Sequence, residues 1–249
     1  MNLFNAPLWY IAFKRNEKLE LQLREYGFKN INHFPAVNGK ALDPDVLLRS
    51  RKLSLRAHWD LKFGRDQHQG IPTMGGIGCA LSHYSLWELC IRQRHPYMII
   101  CEEDVLIERM NAKQVHSIEN HMSQDTSIFV TVQVDHSEEI KFFGMQLYFI
   151  SLSACVELLN DAYPIDVQVD SYISYKSHLG HISLKGARMT KQSSHASSIQ
   201  DTCVPCVTSY AYKKGKRTAS LSTSVLYLIF IGVILVLLYT RNIKKTRVK

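Results

Sequence analysis

Residues 75–104 restrict the fold of this chain more than any other stretch. From Ile77 the apolar residues Ile77, Ala80, Leu81, Tyr84, Trp87 and Ile91 recur at steps of three and four, one stripe of an α-helix. The glycines at 75, 76 and 78 punctuate a turn, and Pro96 marks the end of the helix. Residues 97–101 form a short, wholly apolar run, which suits a strand covered on both faces, in a sheet with helices packed above and below. A helix feeding a buried strand predicts an α/β domain with a mostly parallel central sheet. Glu102, Glu103 and Asp104 come next. Acids placed where such a strand leaves the sheet lie in the crevice where open α/β sheets bind ligands. Neighbouring carboxylates repel one another unless a cation or bound protons neutralise them. Hard oxygen ligands of this kind suit Mg²⁺ or Mn²⁺.

The run Gly78-Cys79-Ala80-Leu81-Ser82-His83, followed at the end of the next strand by an apolar residue and Glu102-Glu103-Asp104-Val105, resembles the pattern of glycosyltransferase family 25. Members of that family include lipooligosaccharide and collagen galactosyltransferases. Pro35-Ala36-Val37-Asn38-Gly39 is similar to a further family segment. The family usually reads Glu-Asp-Asp at the acids, so Glu102 and Asp104 match and Glu103 departs. One extra methylene moves a ligand oxygen by about 1 Å, a misplacement that costs roughly a hundredfold in a preorganised site. The resemblance implies a GT-A-like fold, a nucleotide sugar donor (UDP-galactose above all), a divalent metal on Glu102, Glu103 and Asp104, and inversion at the transferred sugar. It also implies donor contacts from Ser82 and His83. Arg15, at the end of an apolar stretch over residues 8–13, is either a further donor contact or part of a solvated helix start. In GT-A enzymes the metal shell is commonly completed by a C-terminal residue, often His, for which His181 and His195 are the candidates.

Inversion is a single displacement at the anomeric carbon, in which the attacking hydroxyl loses its proton to a carboxylate opposite the departing diphosphate. The second acid cluster, Asp166 and Asp170, fits that task. The two are four residues apart and share a face if the segment is helical. Asp170 is the first choice for the base, with Asp166 behind it. The acceptor, a glycan, lipid or protein hydroxyl, is not specified by these motifs. A family relative that lost catalysis and binds sugar or scaffolds a membrane complex is the alternative.

Several further elements follow from local pattern. Asn16 caps a helix closed by Gly27; residues 31–34 alternate like a strand; Asp43-Pro44 opens a short helix; residues 112–122 are helical. Residues 128–132 and 144–150 read as strands, and Ser153 caps a helix to Leu159. Residues 49–70 lack a clean period and are either an acceptor-side loop or a surface excursion; Arg51, Arg56, Arg65 and His68 lie there.

A formal charge of +8 suggests nucleic acid until it is located. Nine of the 30 basic residues lie at or after Lys213 and no acid does, leaving residues 1–212 with 21 bases against 22 acids. The excess flanks an uncharged apolar run at residues 221–239, long enough to span a bilayer and suited to anionic headgroups at its edges. Nucleic acid is therefore not an expected partner, and membrane lipid is. The expected organisation is a catalytic domain over residues 1–212, a basic linker at 213–220, one C-terminal transmembrane helix at 221–240 and a basic tail at 241–249. No secretory signal is evident at the start, so the expected placement is a tail-anchored, single-pass membrane protein with its catalytic domain facing the cytosol. Cys79, Cys90, Cys101 and Cys155 sit in apolar runs and read as small buried hydrophobes, whereas Cys203 and Cys206 form a lone C-x-x-C.

Overall fold

The computed structural model describes residues 3–64 and 69–193. The expected membrane span, linker and tail, together with Arg65, His68, His195, Cys203 and Cys206, lie outside the described residues. Among those described, no helix is long and apolar enough to cross a membrane.

The chain alternates strands and helices: β1 (Pro7–Ala12), α1 (Glu17–Glu25), β2 (Asn30–Pro35), α2 (Pro44–Arg49), α3 (Leu55–Phe63), α4 (Met74–Gln93), β3 (Tyr97–Glu102) and β4 (Val105–Ile107). It continues through α5 (Ala112–Met122), β5 (Ser127–Val130), β6 (Leu147–Ser151), α6 (Leu152–Leu159), α7 (Val169–His178), β7 (Ser183–Gly186) and β8 (Thr190–Gln192). Six strands form one sheet in the order β2-β1-β3-β6-β5-β7, and β4 pairs with β8 in a small antiparallel ribbon. Within the large sheet β6 alone runs antiparallel to its neighbours. The mostly parallel α/β sheet expected from the buried strand is present.

Side chains alternate across this sheet and divide the core into two layers. Ile11, Met98, Ile100, Ile128, Tyr148 and Ile150 pack with α4 and α6 on one face. Leu8, Tyr10, Ile99, Cys101, Phe129 and Phe149 pack with α1 and α5 on the other. Burial of both faces explains why residues 97–101 carry no polar alternation. Cys79, Cys90, Cys101 and Cys155 are all buried and outside any disulfide, as their apolar surroundings suggest.

The glycines at 75, 76 and 78 do not form a turn. The Thr73 hydroxyl caps α4 and the helix begins at Met74, so Gly75, Gly76 and Gly78 lie inside it. Gly78 is small because the segment around residues 37–39 crosses the helix there: an added Cβ would meet the Val37 carbonyl and stand 2.7 Å from the Gly39 nitrogen. At Gly39 an added Cβ would in turn collide with the Met74 carbonyl. The two glycines lock backbone to backbone.

Other local expectations shift. Residues 55–63, read as aperiodic, form α3, capped by Ser54; Leu55, Trp59 and Phe63 point outward and the small Ala57 is the buried position, an inversion of the usual stripe. The cap of α6 is Ser151, whose hydroxyl accepts from the Ala154 amide, and Ser153 lies inside the helix. Asp166 precedes α7 whereas Asp170 stands in its first turn, so the two do not share a helix face. The strands β4, β7 and β8, of three or four residues, are too short to announce themselves.

Candidate active site

β1 and β3 run parallel, with Ile11 beside Glu102, so Arg15 and the acids emerge at one edge of the sheet. β6 starts there too, and its leading neighbour Gln146 accepts the Glu102 amide through its carbonyl at 2.9 Å. Glu103 and Asp104 form the two-residue turn from β3 into β4.

Glu102 is held from α4. Cys79 and His83, one helical turn apart, both face its Oε1, at 3.7 Å from Sγ and 3.4 Å from Nε2. His83 is fully buried, and its Nδ1 lies 2.9 Å from the Tyr148 hydroxyl. That hydroxyl oxygen also accepts the Trp87 indole N–H at 2.9 Å. Because the indole can only donate, the Tyr148 proton goes to His83 Nδ1, which leaves Nε2–H to donate to Glu102. The relay from Trp87 through Tyr148 and His83 orients Glu102 and holds Oε1. Oε2 accepts no hydrogen bond among the described residues. The three ligand atoms of Cys79, His83 and Glu102 lie within 4.8 Å of one another, a grouping that could also attract a cation. With the proton on Nε2 it serves instead as a hydrogen-bonded support.

Asp104 is 7% exposed. Its Oδ2 accepts from Gln192 Nε2 at 2.8 Å, and its backbone carbonyl accepts from the Ser193 amide at 2.7 Å. Its Oδ1 is buried without a hydrogen-bond partner among the described residues. Burial raises the Asp104 carboxyl above the usual aspartate value, and the charge of Glu102 adds to this. A buried carboxylate oxygen without a donor is costly. The buried Oδ1 of Asp104, with the partly exposed Glu102 carboxylate two residues before it, therefore fits a small hard cation, and the residues present suit the divalent metal that the motif implies. Glu103 lies between them, half-buried.

Asp170 comes to the same region from the first turn of α7. Its Oδ2 accepts the Gly144 amide at 2.9 Å and its Oδ1 the Ser171 amide at 2.7 Å. Burial raises its carboxyl, and Glu102 contributes to the rise. Glu102 is thus the electrostatic neighbour of both Asp104 and Asp170, which joins Asp170, but not Asp166, to the first acid cluster.

The other expected site residues are engaged elsewhere. Ser82 is fully buried; its hydroxyl donates to the Gly78 carbonyl at 2.7 Å and accepts the Val37 amide at 2.9 Å, so its bonds hold the glycine crossing. Arg15 makes a bidentate pair with Glu20, at 2.8 and 2.9 Å. That pair, with the Tyr10 hydroxyl, pulls the Glu20 carboxyl down to about 2. Asp166 accepts from the Ser54 hydroxyl and pairs with Arg56 Nη1 at 3.3 Å. His181 Nδ1 lies 3.1 Å from Glu157 and 3.3 Å from the buried Lys176 ammonium, and is not in the group around Glu102. His195 lies outside the described residues.

Sequence reasoning missed Cys79, Tyr148 and Gln192. The i, i+4 spacing of Cys79 and His83 on a helix was a usable signal. Nothing local links Asp104 to Gln192, 88 residues away.

Known proteins carry similar sequences. A chain from Drosophila melanogaster named "Glycosyltransferase 25 family member" is 30% identical over 178 residues, covering 64% of this chain and 28% of that protein. Human "Procollagen galactosyltransferase 2" is 33% identical over 90 residues, 36% of this chain and 13% of the relative. Rat "Probable inactive glycosyltransferase 25 family member 3" is 28% identical over 115 residues, 44% and 19% respectively. The chain thus spans less than a third of the length of each of these relatives. Residues 11–142, which hold the glycine crossing, His83 and the acids Glu102, Glu103 and Asp104, match the model of "Glycosyltransferase family 25 (LPS biosynthesis protein)". The chain belongs to glycosyltransferase family 25.

Proposed function

We propose that this protein transfers a hexose, galactose first among the choices, from a nucleotide diphosphate sugar to an acceptor hydroxyl with inversion, acting from a membrane through the span at residues 221–240 with the catalytic domain on the cytosolic side. The observation that carries this reading is the buried Oδ1 of Asp104, which has no partner among the described residues, at the sheet edge where Glu102 also lies. Glu102 and Asp104, with Glu103 between them, would hold a divalent cation, Mn²⁺ or Mg²⁺; when bound, it supplies positive charge to the departing diphosphate. The His83 relay keeps Glu102 Oε1 occupied and its second oxygen turned to the task. Asp170 takes the proton of the attacking hydroxyl, and its raised affinity for protons makes it a stronger base than a surface aspartate. Galactose as the sugar is supported by the name of the human relative.

The test is hydrolysis and transfer of UDP-galactose by the full chain with MnCl₂. Asp104→Asn and Asp170→Asn should each lower turnover by about a hundredfold or more, and turnover that survives both changes would sink the assignment. A second reading, a relative without catalysis, draws on the name of the rat protein and on Glu103 in place of the family aspartate. No turnover of any nucleotide sugar by the native chain, with activity gained on Glu103→Asp, would establish it instead.

A further inference from the structure

The outward side of α3 is apolar. Leu55, Trp59 and Phe63 keep 62%, 58% and 48% of their surface exposed, while the small Ala57 is the residue turned inward. The three stand at i, i+4 and i+8, and at about 100° of rotation per residue they fill one arc of about 80°. The Trp59 and Phe63 rings lie against each other, centroids 5.3 Å apart, so the arc presents a continuous apolar surface. By the same rotation Lys62 stands about 20° outside Leu55 and Arg56 about 20° outside Phe63, so a base borders the arc on each side. The helix is fixed to the domain: the Ser54 amide donates to the Ile165 carbonyl at 3.0 Å, and Arg56 pairs with Asp166 at 3.3 Å. A firmly held helix that turns its largest apolar residues outward and its smallest inward marks a surface for a partner.

The charge around the face says which partner. Residues 49–63 carry Arg49, Arg51, Lys52, Arg56 and Lys62 against the single acid Asp60, and all five bases are exposed. The rest of residues 1–212 holds 16 bases and 21 acids, so this is a basic patch on a domain otherwise acidic. Asp45, on the neighbouring α2, is occupied by His58 at 2.7 Å. Arg56 is partly neutralised by Asp166, which leaves most of the positive field to Lys62 and the three bases before α3. A second copy would set one basic face against another, an arrangement that like charges oppose. Leucine and aromatic rings on one arc, with Lys and Arg at its borders, suit a helix that lies in the headgroup region of a bilayer, its rings at the upper acyl chains and its bases at the phosphates.

We infer that α3 docks this domain on an anionic bilayer, with Leu55, Trp59 and Phe63 in the interface and Arg49, Arg51, Lys52 and Lys62 meeting lipid phosphates. The choice of a bilayer rests on the membrane placement proposed above, where the run at residues 221–239 supplies the membrane, and not on the transferase chemistry.

Tryptophan fluorescence of the full chain, with vesicles of brominated phosphatidylcholine alone or mixed equally with phosphatidylglycerol, tests this. Trp87 is fully buried and Trp9 half-buried in β1, so quenching by the bromine atoms reports Trp59. Quenching should be strong on the anionic vesicles and vanish in Trp59→Phe. It should fall to the level of neutral vesicles in Leu55→Ser with Phe63→Ser, whose exposed positions leave the thermal midpoint in place. Lys52→Glu with Lys62→Glu should demand about tenfold more anionic lipid, and added salt should act in the same direction. An unquenched Trp59, or quenching undiminished in either double variant, overturns the inference. Self-association in neutral detergent that Leu55→Ser with Phe63→Ser abolishes would assign the face to a second copy. Binding of poly-L-glutamate in place of anionic vesicles would assign it to an acidic protein, and either result overturns the inference. Flotation with neutral vesicles reads the proposed span separately. Its loss with Trp59 quenching intact would end the span reading and leave α3 docked, whereas flotation without quenching would end this inference alone.

Discussion

His83 Nε2 stands 3.4 Å from Glu102 Oε1, and no part of the histidine reaches solvent. A residue expected to touch a donor is thus a positioning group, which passes the Tyr148 proton arrangement on to the carboxylate. In the proposed transferase its influence would act through the direction of Glu102 and not through contact with substrate.

Replacement of His83 by Ala leaves the Tyr148 hydroxyl without its acceptor and Glu102 without its nearest donor, both in a buried region. The expected cost is about 1–3 kcal/mol of stability for the orphaned groups. Urea unfolding should show a lower midpoint with an unchanged slope. His83→Gln, which can still donate toward Glu102, should recover part of the loss in Mn²⁺ affinity; equal affinity in both variants would remove the orienting role.

Asp104→Asn should divide stability from function. Removing a buried charge whose Oδ1 has no partner among the described residues relieves an unfavourable burial, so the metal-free variant should unfold about 1 kcal/mol less readily than the native chain at neutral pH. Added MnCl₂ should raise the melting temperature of the native chain and leave that of the variant where it was. Equal stabilisation of both proteins would place the cation elsewhere.

Gly78→Ala inserts a methyl against the Val37 carbonyl and the Gly39 nitrogen, neither of which can rotate away as a side chain could. Overpacking of this kind costs about 1–3 kcal/mol. Because the same crossing carries the Ser82 bond to the Val37 amide, a thermal melt should show Gly78→Ala and Ser82→Ala to be non-additive.

Glu20 bears on acid stability. Its carboxyl is held at about 2 by Arg15 and Tyr10 against an ordinary value of 4.5. The folded chain therefore binds fewer protons than the unfolded one in this range. The stabilisation is complete above pH 4.5 and is lost as pH falls toward about 2. Glu20→Gln should raise the pH of half-unfolding by a few tenths of a unit, roughly, since the exposed Arg15 screens part of the pair. Circular dichroism across an acid titration reads this directly, and an unshifted midpoint would show that the pair contributes nothing.

The pieces legible in the chain were those governed by local spacing. The stripe from Ile77 to Ile91 has to be a helix with one buried side, the apolar run before Glu102 has to be a strand covered twice, and the cysteines within such runs have to be buried. The order of helix, strand and acids also carried the family. None of this required a contact between distant segments, because a period of 3.6 or 2 is a property of the backbone itself.

Tertiary structure alone decided what each functional side chain meets. Asp104 finds Gln192 through a ribbon of two three-residue strands, Asp170 reaches the field of Glu102 across a loop and a helix start, and Gly78 is small because another backbone crosses it. Arg15 was settled by Glu20. These relationships depend on where separate elements cross. Spacing along the chain records the twist of each element but not the crossing, so the partners of a buried carboxylate or hydroxyl appear only when the layers have packed.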